Sequence, residues 1–220
     1  PDPETQKLVD EYTGLLDKEL NVVLGKTENA LDSRRNVVRT DEAAIGNLIA
    51  DAMRDAVGAE IAITNGGGIR GDKQYAAGSD ITRRDILTEL PFGNVTVLTE
   101  VTGQQVWDAL ENGFSKVEDG AGRFPQVSGL KVEGDLTKPA GSRVVSVTVG
   151  DKPLDKAATY KLATNDYMLD GGDGYTALKG GKVVVDARGG KLIANDVMVL
   201  IKKSGAINAK TDGRISLIRK

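Results

Sequence analysis

The order in which helical and strand-like patterns follow one another most constrains the fold of this chain. Apolar residues recur at helical spacing in several separated stretches, whereas short apolar or alternating runs typical of strands dominate after Phe124. A doubly wound parallel sheet requires a regular alternation of strand and helix, and that alternation is absent here. The sequence therefore predicts an α+β fold, a single domain with a mixed β-sheet and packed helices.

The segments that carry these patterns can be placed along the chain. Helical spacing predicts helices over residues 4–20, 41–57, 79–90, 102–116 and 193–205. Strand patterns occupy residues 60–65, 94–103, 129–135, 143–150, 159–166, 182–187 and 213–220. For the second helix, Thr40 or Asp41 is the predicted N-cap and Gly58 the predicted C-cap.

The composition excludes several kinds of site. The 220 residues include no cysteine and no histidine, which rules out disulfides, thiolate or imidazole metal ligands, and a Ser-His-Asp triad. A carboxylate site for Mg²⁺ or Ca²⁺ remains open. The net charge of -3 and the lack of a basic tract argue against a nucleic-acid polymer as partner, and no apolar run is long enough to span a membrane.

A glycine-rich loop follows the predicted strand that ends at Asn65, in the stretch IAITNGGGIRG. It is open to two interpretations: a tight turn that needs glycine for its backbone angles, or an anion-binding nest of successive N–H groups. Gly66, Gly68 and Gly71 match the dinucleotide-binding spacing G-x-G-x-x-G, but polar, turn-like residues follow where that motif needs a helix. Arg70 favours a binding role, because its guanidinium offers a fixed charge and a fork of donors for phosphate or carboxylate.

A second glycine-rich loop occupies residues 165–175, in the stretch NDYMLDGGDGY. Its Asp173 is either a turn residue that bonds its own backbone or an acceptor for two neighbouring hydroxyl groups of a ligand. Aromatic residues make up only 4% of the chain, yet Phe92 and Tyr167 lie beside these loops. Phe92 lies between proline and glycine, a poor position for a core residue, and two such rings could enclose a planar base.

Five blocks of sequence carry a resemblance to a known family. In chain order they are GNLIADAM, ITNGGGIR, LPFGN, FPQVSGL and NDYMLDGGDGY. Together they resemble the C-terminal domain of 5'-nucleotidases, a family that includes bacterial UDP-sugar hydrolases and animal ecto-5'-nucleotidases, over a span from about Leu24 to Arg219. The resemblance implies that residues 25–220 form a nucleotide-binding domain and that residues 1–24 form a linker helix region before it.

The resemblance also implies roles for individual residues. Phe92 and Tyr167 would stack on the base, although Phe is usual in the family at the second of these positions. Asp173 would hold the ribose hydroxyl groups. Asn65 and Gly67 would contact the base and the sugar.

Three arginines would bind the phosphate group by the same resemblance: Arg70, and the pair Arg35 and Arg39, spaced four residues apart. The spacing from Arg39 to the block GNLIADAM is longer than in the animal enzymes. Asp166 stands where some members have asparagine.

The predicted function is that of the substrate-binding domain of a two-domain, metal-dependent 5'-nucleotidase, which hydrolyses phosphoesters in nucleotide catabolism. The resemblance places two divalent metal ions in an N-terminal metallophosphatase domain that this sequence lacks. This chain alone is therefore expected to be inactive, with no catalytic or metal-binding residue. The alternative is a stand-alone, non-catalytic nucleoside-binding or structural module.

The origin and location of the chain are also open to expectation. Its first residue is Pro1 and not Met, so we expect a processed chain or a piece of a longer one. The family resemblance implies a periplasmic, cell-wall-attached or extracellular protein.

Overall fold

A computed structural model describes residues 2–219. The α-helices are α1 (Pro3–Leu20), α2 (Arg35–Val38), α3 (Ala44–Val57), α4 (Arg83–Glu89), α5 (Gly103–Phe114), α6 (Asp166–Leu169) and α7 (Ile193–Ser204). The strands are β1 (Val23–Thr27), β2 (Leu31–Asp32), β3 (Ile61–Asn65), β4 (Gln74–Tyr75), β5 (Asp80–Thr82), β6 (Thr96–Thr102), β7 (Pro125–Ser128), β8 (Leu130–Asp135), β9 (Val144–Val149), β10 (Lys152–Pro153), β11 (Thr159–Asn165), β12 (Lys182–Val185), β13 (Ala206–Ile207) and β14 (Ile215–Ile218). Short 3₁₀ turns occupy Gly66–Gly68, Gly172–Gly174 and Thr176–Gly180.

A five-stranded mixed sheet forms the centre of the domain, with the strand order β12-β6-β11-β3-β7. β11 and β3 run parallel, and the other neighbouring pairs in this sheet are antiparallel. Three smaller sheets have the orders β10-β9-β8-β14, β13-β1-β5 and β2-β4. The predicted α+β fold with a mixed sheet is therefore confirmed.

Two hydrophobic clusters form the core. One contains the buried face of α3 together with residues of α7, and the other contains α5 together with strands β8 and β9. Strand β3 contributes Ala62 to the first cluster and Ile61 and Ile63 to the second, and all three are fully buried. Because successive side chains of a strand point to opposite faces, a strand between two cores needs a continuous apolar run, as this sequence has.

The start of α3 differs from the prediction. Its N-cap is Ala43, so the predicted capping by Thr40 or Asp41 is wrong. The N–H of Ala43 instead donates to the side-chain oxygen of Gln126 in β7, over 3.0 Å, so a distant residue replaces a local cap. Gly58 ends the helix in the left-handed conformation, with φ 61°, as predicted.

Helix α1, predicted as the linker helix, contacts the domain through its polar residues near α4. Arg83 pairs with Glu19 over 3.0 Å, and Arg84 pairs with Asp17. The apolar face predicted from the helical spacing is more than half exposed, at Leu8, Val9, Tyr12, Leu15 and Leu16. Exposed ion pairs contribute at most about 1 kcal/mol each, so contacts within this chain hold α1 only weakly. Across residues 2–219, no helix has both the length and the apolar character that crossing a membrane requires.

Candidate functional site

A cavity of about 460 Å³ lies at the carboxyl ends of β3 and β11. Its lining residues are Arg39, Asn65, Gly67, Gly68, Arg70, Phe92, Asn94, Gly122, Tyr167 and Asp173. Every predicted site residue except Arg35 is among them. Because β3 and β11 are parallel neighbours, their carboxyl ends bring the two glycine-rich loops to the same edge of the sheet.

The first glycine-rich loop is shaped by close backbone contacts. Gly66–Gly68 form a 3₁₀ turn in which the N–H of Ile69 donates to the carbonyl oxygen of Gly66 over 3.2 Å, so the predicted tight turn is present. None of the three glycines has a positive φ, so the expectation that the turn needs such an angle is wrong. A Cβ on Gly66 would collide with the carbonyl oxygen of Val38, and one on Gly67 would lie 2.8 Å from the Cα of Gly122. The predicted anion-binding nest is also wrong, because the N–H groups of Gly66, Gly67 and Arg70 donate to protein carbonyl groups over 2.7, 2.8 and 2.9 Å.

The second glycine-rich loop holds Asp173 in the left-handed backbone conformation, with φ 53°. This conformation costs a non-glycine residue roughly 1–2 kcal/mol, and aspartate is among the few that adopt it. Gly171 and Gly174 on either side also have positive φ. The N–H of Asp173 donates to the Tyr167 hydroxyl and its carbonyl oxygen accepts from Asn112, each over 3.1 Å. These contacts fix the turn and place the carboxylate in the cavity.

The Asp173 carboxylate is hydrogen-bonded on both oxygens. Oδ1 accepts from the Tyr167 hydroxyl over 3.1 Å, and Oδ2 accepts from the side-chain amide of Asn65 over 2.8 Å. The Asn65 oxygen accepts in turn from Asn165 over 3.0 Å. Burial and the nearby Asp173 charge raise the pKa of Tyr167, which keeps the phenol a neutral donor. An ionised carboxylate has about four acceptor positions, so Asp173 retains capacity for a ligand.

The rings of Phe92 and Tyr167 both face the cavity and are 62% and 46% exposed. Phe92 precedes Gly93, whose φ of 70° turns the chain away. The Tyr167 ring lies against the backbone of Gly172, where an added Cβ would be 2.5 Å from a ring carbon. The guanidinium carbon of Arg70 is 5.5 Å from the centre of the Phe92 ring, a cation–π distance. Both rings are thus available to stack on a planar ligand.

Arg39 is a buried cation at one end of the cavity, only 7% exposed. Its Nη1 donates weakly to the carbonyl of Gly120 over 3.4 Å, and its Nε has no hydrogen-bond partner within residues 2–219. Burial lowers the pKa of Arg39, as do the charges of Arg35 and Arg70, whereas Asp173 raises it. The positive charges of Arg39, Arg35 and Arg70 therefore favour an anionic group near Arg39.

Arg35 is the predicted site residue that the structure places outside the cavity. It lines a neighbouring surface groove together with Asp72 and Glu118. Its backbone N–H donates to the Asp72 carboxylate over 2.8 Å. Arg35 therefore adds to the positive potential around Arg39 without forming part of the cavity.

Three residues of the cavity were not among the predicted site residues: Gly68, Asn94 and Gly122. Asn94 follows Phe92 closely and donates from its side chain to Asp166 over 2.8 Å, which fixes the amide. A Cβ on Gly122 would lie 3.2 Å from the Asp173 carboxylate. Asn94 could have been predicted, because it belongs to the block LPFGN. Nothing in the amino-acid sequence around the isolated Gly122 marks it as a site residue.

The cavity as a whole offers binding chemistry: two aromatic rings, one oriented carboxylate and two guanidinium groups. Within residues 2–219, no three aspartate or glutamate residues converge in a group that could hold a metal ion. A smaller cavity of about 270 Å³ adjoins the first and shares Asn65, Gly68, Phe92 and Asn94 with it.

Known proteins resemble this chain in sequence and in structure. The sequence model of the family described as 5'-nucleotidase, C-terminal domain, matches residues 23–180. The trifunctional nucleotide phosphoesterase protein YfkN of Bacillus subtilis is 43% identical over 185 residues, which cover 79% of this chain and 12% of that protein. Protein UshA of Escherichia coli is 35% identical over 163 residues, which cover 73% of this chain and 28% of that protein.

A solved structure extends this similarity to the fold. The 5'-nucleotidase precursor from Thermus thermophilus superposes with a TM-score of 0.88 at 37% sequence identity, over 98% of this chain and 43% of that one. The chain thus spans less than half the length of each of these three proteins. The matching family model covers most of the chain, and the chain belongs to the family of 5'-nucleotidase C-terminal domains.

Proposed function

We propose that this chain is the nucleotide-binding part of a longer, metal-dependent 5'-nucleotidase. In this proposal residues 25–220 form the binding domain and residues 1–24 the linker region before it. The observation that carries the proposal is that two exposed rings, the Asp173 carboxylate and two arginines share a single cavity. These are the groups that a base, a ribose and a phosphate require, and the chain brings them together from distant parts of the sequence.

Each group of the cavity has a role in binding. The base stacks between Phe92 and Tyr167, and such stacking is worth about 1–3 kcal/mol for a base. The Asp173 carboxylate accepts hydrogen bonds from the ribose hydroxyl groups. Arg39 and Arg70 pair with the phosphate by charge-assisted hydrogen bonds, which are about twice as strong as neutral ones.

The hydrolytic centre belongs to another part of the longer protein in this proposal. Two divalent metal ions there would activate water for attack on the phosphoester. Residues of this chain hold and orient the nucleotide, and such positioning alone can lower a barrier by several kcal/mol, on the order of 7 in well-oriented systems. On its own the chain binds but does not hydrolyse. The relatives described as 5'-nucleotidases support this assignment. The proposal includes a periplasmic, cell-wall-attached or extracellular location, and a relative from snake venom supports export from the cell.

The test is calorimetric titration of the 220-residue chain with adenosine and with AMP. We expect both to bind, AMP more tightly than adenosine at low ionic strength. Phe92→Ala and Asp173→Ala should each weaken both ligands at least tenfold. The matched control is Tyr12→Ala, which removes an equally exposed ring from α1, away from the cavity. If Phe92→Ala and Asp173→Ala bind as the parent chain does, the cavity is not the binding site.

The alternative is a stand-alone binding or structural module. A longer protein that contains this chain and hydrolyses AMP, with kcat/KM lowered by Phe92→Ala, supports the nucleotidase assignment. If the complete natural protein contains no hydrolytic segment and still binds adenosine, the binding module is supported. If neither the 220-residue chain nor the complete natural protein binds adenosine, a structural role is supported.

A further inference from the structure

We propose that Asn165, acting through Asn65 and together with the hydroxyl group of Tyr167, is a positioning residue that orients the Asp173 carboxylate for the hydroxyl groups of a ribose. The inference rests on the proposed function, because it concerns how the same cavity selects its ligand. Asn165 lies at the end of β11 and is only 3% exposed. It lines the smaller adjoining cavity but not the larger one that Asp173 lines, so its effect on the Asp173 carboxylate passes through Asn65.

The first step fixes the orientation of the Asn165 amide. Its Oδ1 accepts from the backbone N–H of Met168 over 2.8 Å and caps α6. A backbone N–H can only donate, so the atom that it meets has to be the oxygen. The Nδ2 group then points the other way, where it donates to the Thr64 hydroxyl over 3.3 Å and to the Asn65 oxygen over 3.0 Å.

The second step transfers this orientation to Asn65. Because its Oδ1 faces the donor on Asn165, its own Nδ2 has to face the opposite side, towards the cavity. There it donates to Oδ2 of Asp173 over 2.8 Å. Asn65 is 4% exposed and is the last residue of β3, so both amides are held in the sheet. The cap of one short helix thus sets the direction of two side-chain amides.

The third step fixes the other carboxylate oxygen. The Tyr167 oxygen accepts from the backbone N–H of Asp173 over 3.1 Å, which leaves its hydrogen free to donate to Oδ1 of the same residue over 3.1 Å. Each carboxylate oxygen therefore has one protein donor, and its remaining acceptor position is open to the cavity. A carboxylate held at both oxygens is preorganised. Binding a diol to it therefore costs less conformational entropy than binding to a side chain that first has to be ordered.

The test measures binding of two neutral nucleosides, adenosine and 2',3'-dideoxyadenosine, to the 220-residue chain. The parent chain should prefer adenosine. Asn165→Asp keeps an oxygen for the α6 cap but loses the donor to Asn65, so Asn65 is free to turn its amide away from Asp173. We expect adenosine to bind at least tenfold more weakly to this variant, while binding of the dideoxynucleoside changes less than about twofold.

Two further variants separate orientation from folding and from charge. Tyr167→Phe keeps the ring and removes only the hydroxyl at a partly exposed position, and it should also reduce the preference for adenosine. Asn208→Asp makes the same charge change at an exposed asparagine whose oxygen already accepts from Asn29, and it should leave both ligands unaffected.

The outcomes distinguish the inference from the function on which it rests. Equal weakening of both nucleosides by Asn165→Asp, with Tyr167→Phe unchanged, would show a merely structural role and overturn the inference. An unchanged preference in both variants would overturn it as well. A parent chain that binds the two nucleosides equally refutes the role of Asp173 but leaves nucleoside binding intact. A parent chain that binds neither nucleoside refutes the proposed function itself.

Discussion

Replacing Arg39 by methionine should stabilise the folded chain and weaken its binding of a phosphate group. Arg39 is 7% exposed, and its Nε has no partner among residues 2–219. A buried unsatisfied donor costs about 1–3 kcal/mol, and the single bond to the Gly120 carbonyl, at 3.4 Å, returns less than about 1 kcal/mol. Methionine fills a similar volume without a charge. The free energy of unfolding should therefore rise by about 1 kcal/mol.

The effect on binding should have the opposite sign. A hydrogen bond to a charged group is worth about 1.5–3 kcal/mol, so AMP should bind to Arg39→Met about 10- to 150-fold more weakly. Adenosine has no phosphate, and its affinity should change less than about twofold. The loss for AMP should shrink as salt is added, because screening already weakens the charge interaction in the parent chain.

The measurements are urea unfolding and calorimetric titration, each with Arg188→Met as control for loss of an exposed arginine. A fall of more than about 1 kcal/mol in the unfolding free energy of Arg39→Met would mean that this guanidinium is satisfied in the folded chain. Equal losses for AMP and adenosine would mean that Arg39 shapes the cavity and does not contact the phosphate. Either result would refute the reasoning from its unused donor.

Two other predictions follow from buried contacts near the loops. Gly67→Ala puts a Cβ 2.8 Å from the Cα of Gly122, and that backbone can move little. Thermal unfolding should therefore show a free energy of unfolding lower by about 1–3 kcal/mol, and adenosine should bind more weakly. An unchanged midpoint would contradict this. Burial raises the pKa of Glu89, while the Tyr75 hydroxyl, at 2.7 Å, stabilises its charged form. The folded protein therefore holds the Glu89 proton to higher pH than the unfolded chain does. Tyr75→Phe should lower the free energy of unfolding in urea by about 1–3 kcal/mol at pH 7, and by less near pH 4, where Glu89 is protonated. An equal or larger loss in acid would contradict this.

Local patterns predicted most of the elements because each rests on neighbouring residues. The run Ile61–Asn65 is apolar enough to identify a strand buried on both faces, and Gly58 marks a helix end because glycine adopts a positive φ without strain. The start of α3 could not be predicted, since Gln126 in β7 takes the place of the cap. A partner so distant along the chain leaves no trace in local spacing.

The site was predictable in its membership more than in its arrangement. The blocks LPFGN and NDYMLDGGDGY identified Phe92, Tyr167 and Asp173 as site residues beside the glycine-rich loops. The structure brings all three into one cavity. The use of the glycines was not predictable: Gly67 makes room for Gly122 and does not supply a positive φ. Arg35 shows the same limit, because only the path of the chain through α2 decides which arginine reaches the cavity.

The sequence by itself determined the fold class, the family and the kinds of chemistry available, because periodicity, composition and motif blocks are properties of neighbouring residues. The absence of histidine and cysteine alone removed whole classes of site. Only the tertiary structure decided which donors remain unused and which amide faces which partner. The series of hydrogen bonds that runs from Met168 through Asn165 and Asn65 to Asp173 depends on the parallel pairing of β11 with β3. Contacts between neighbouring strands of a sheet have no local signature in the amino-acid sequence.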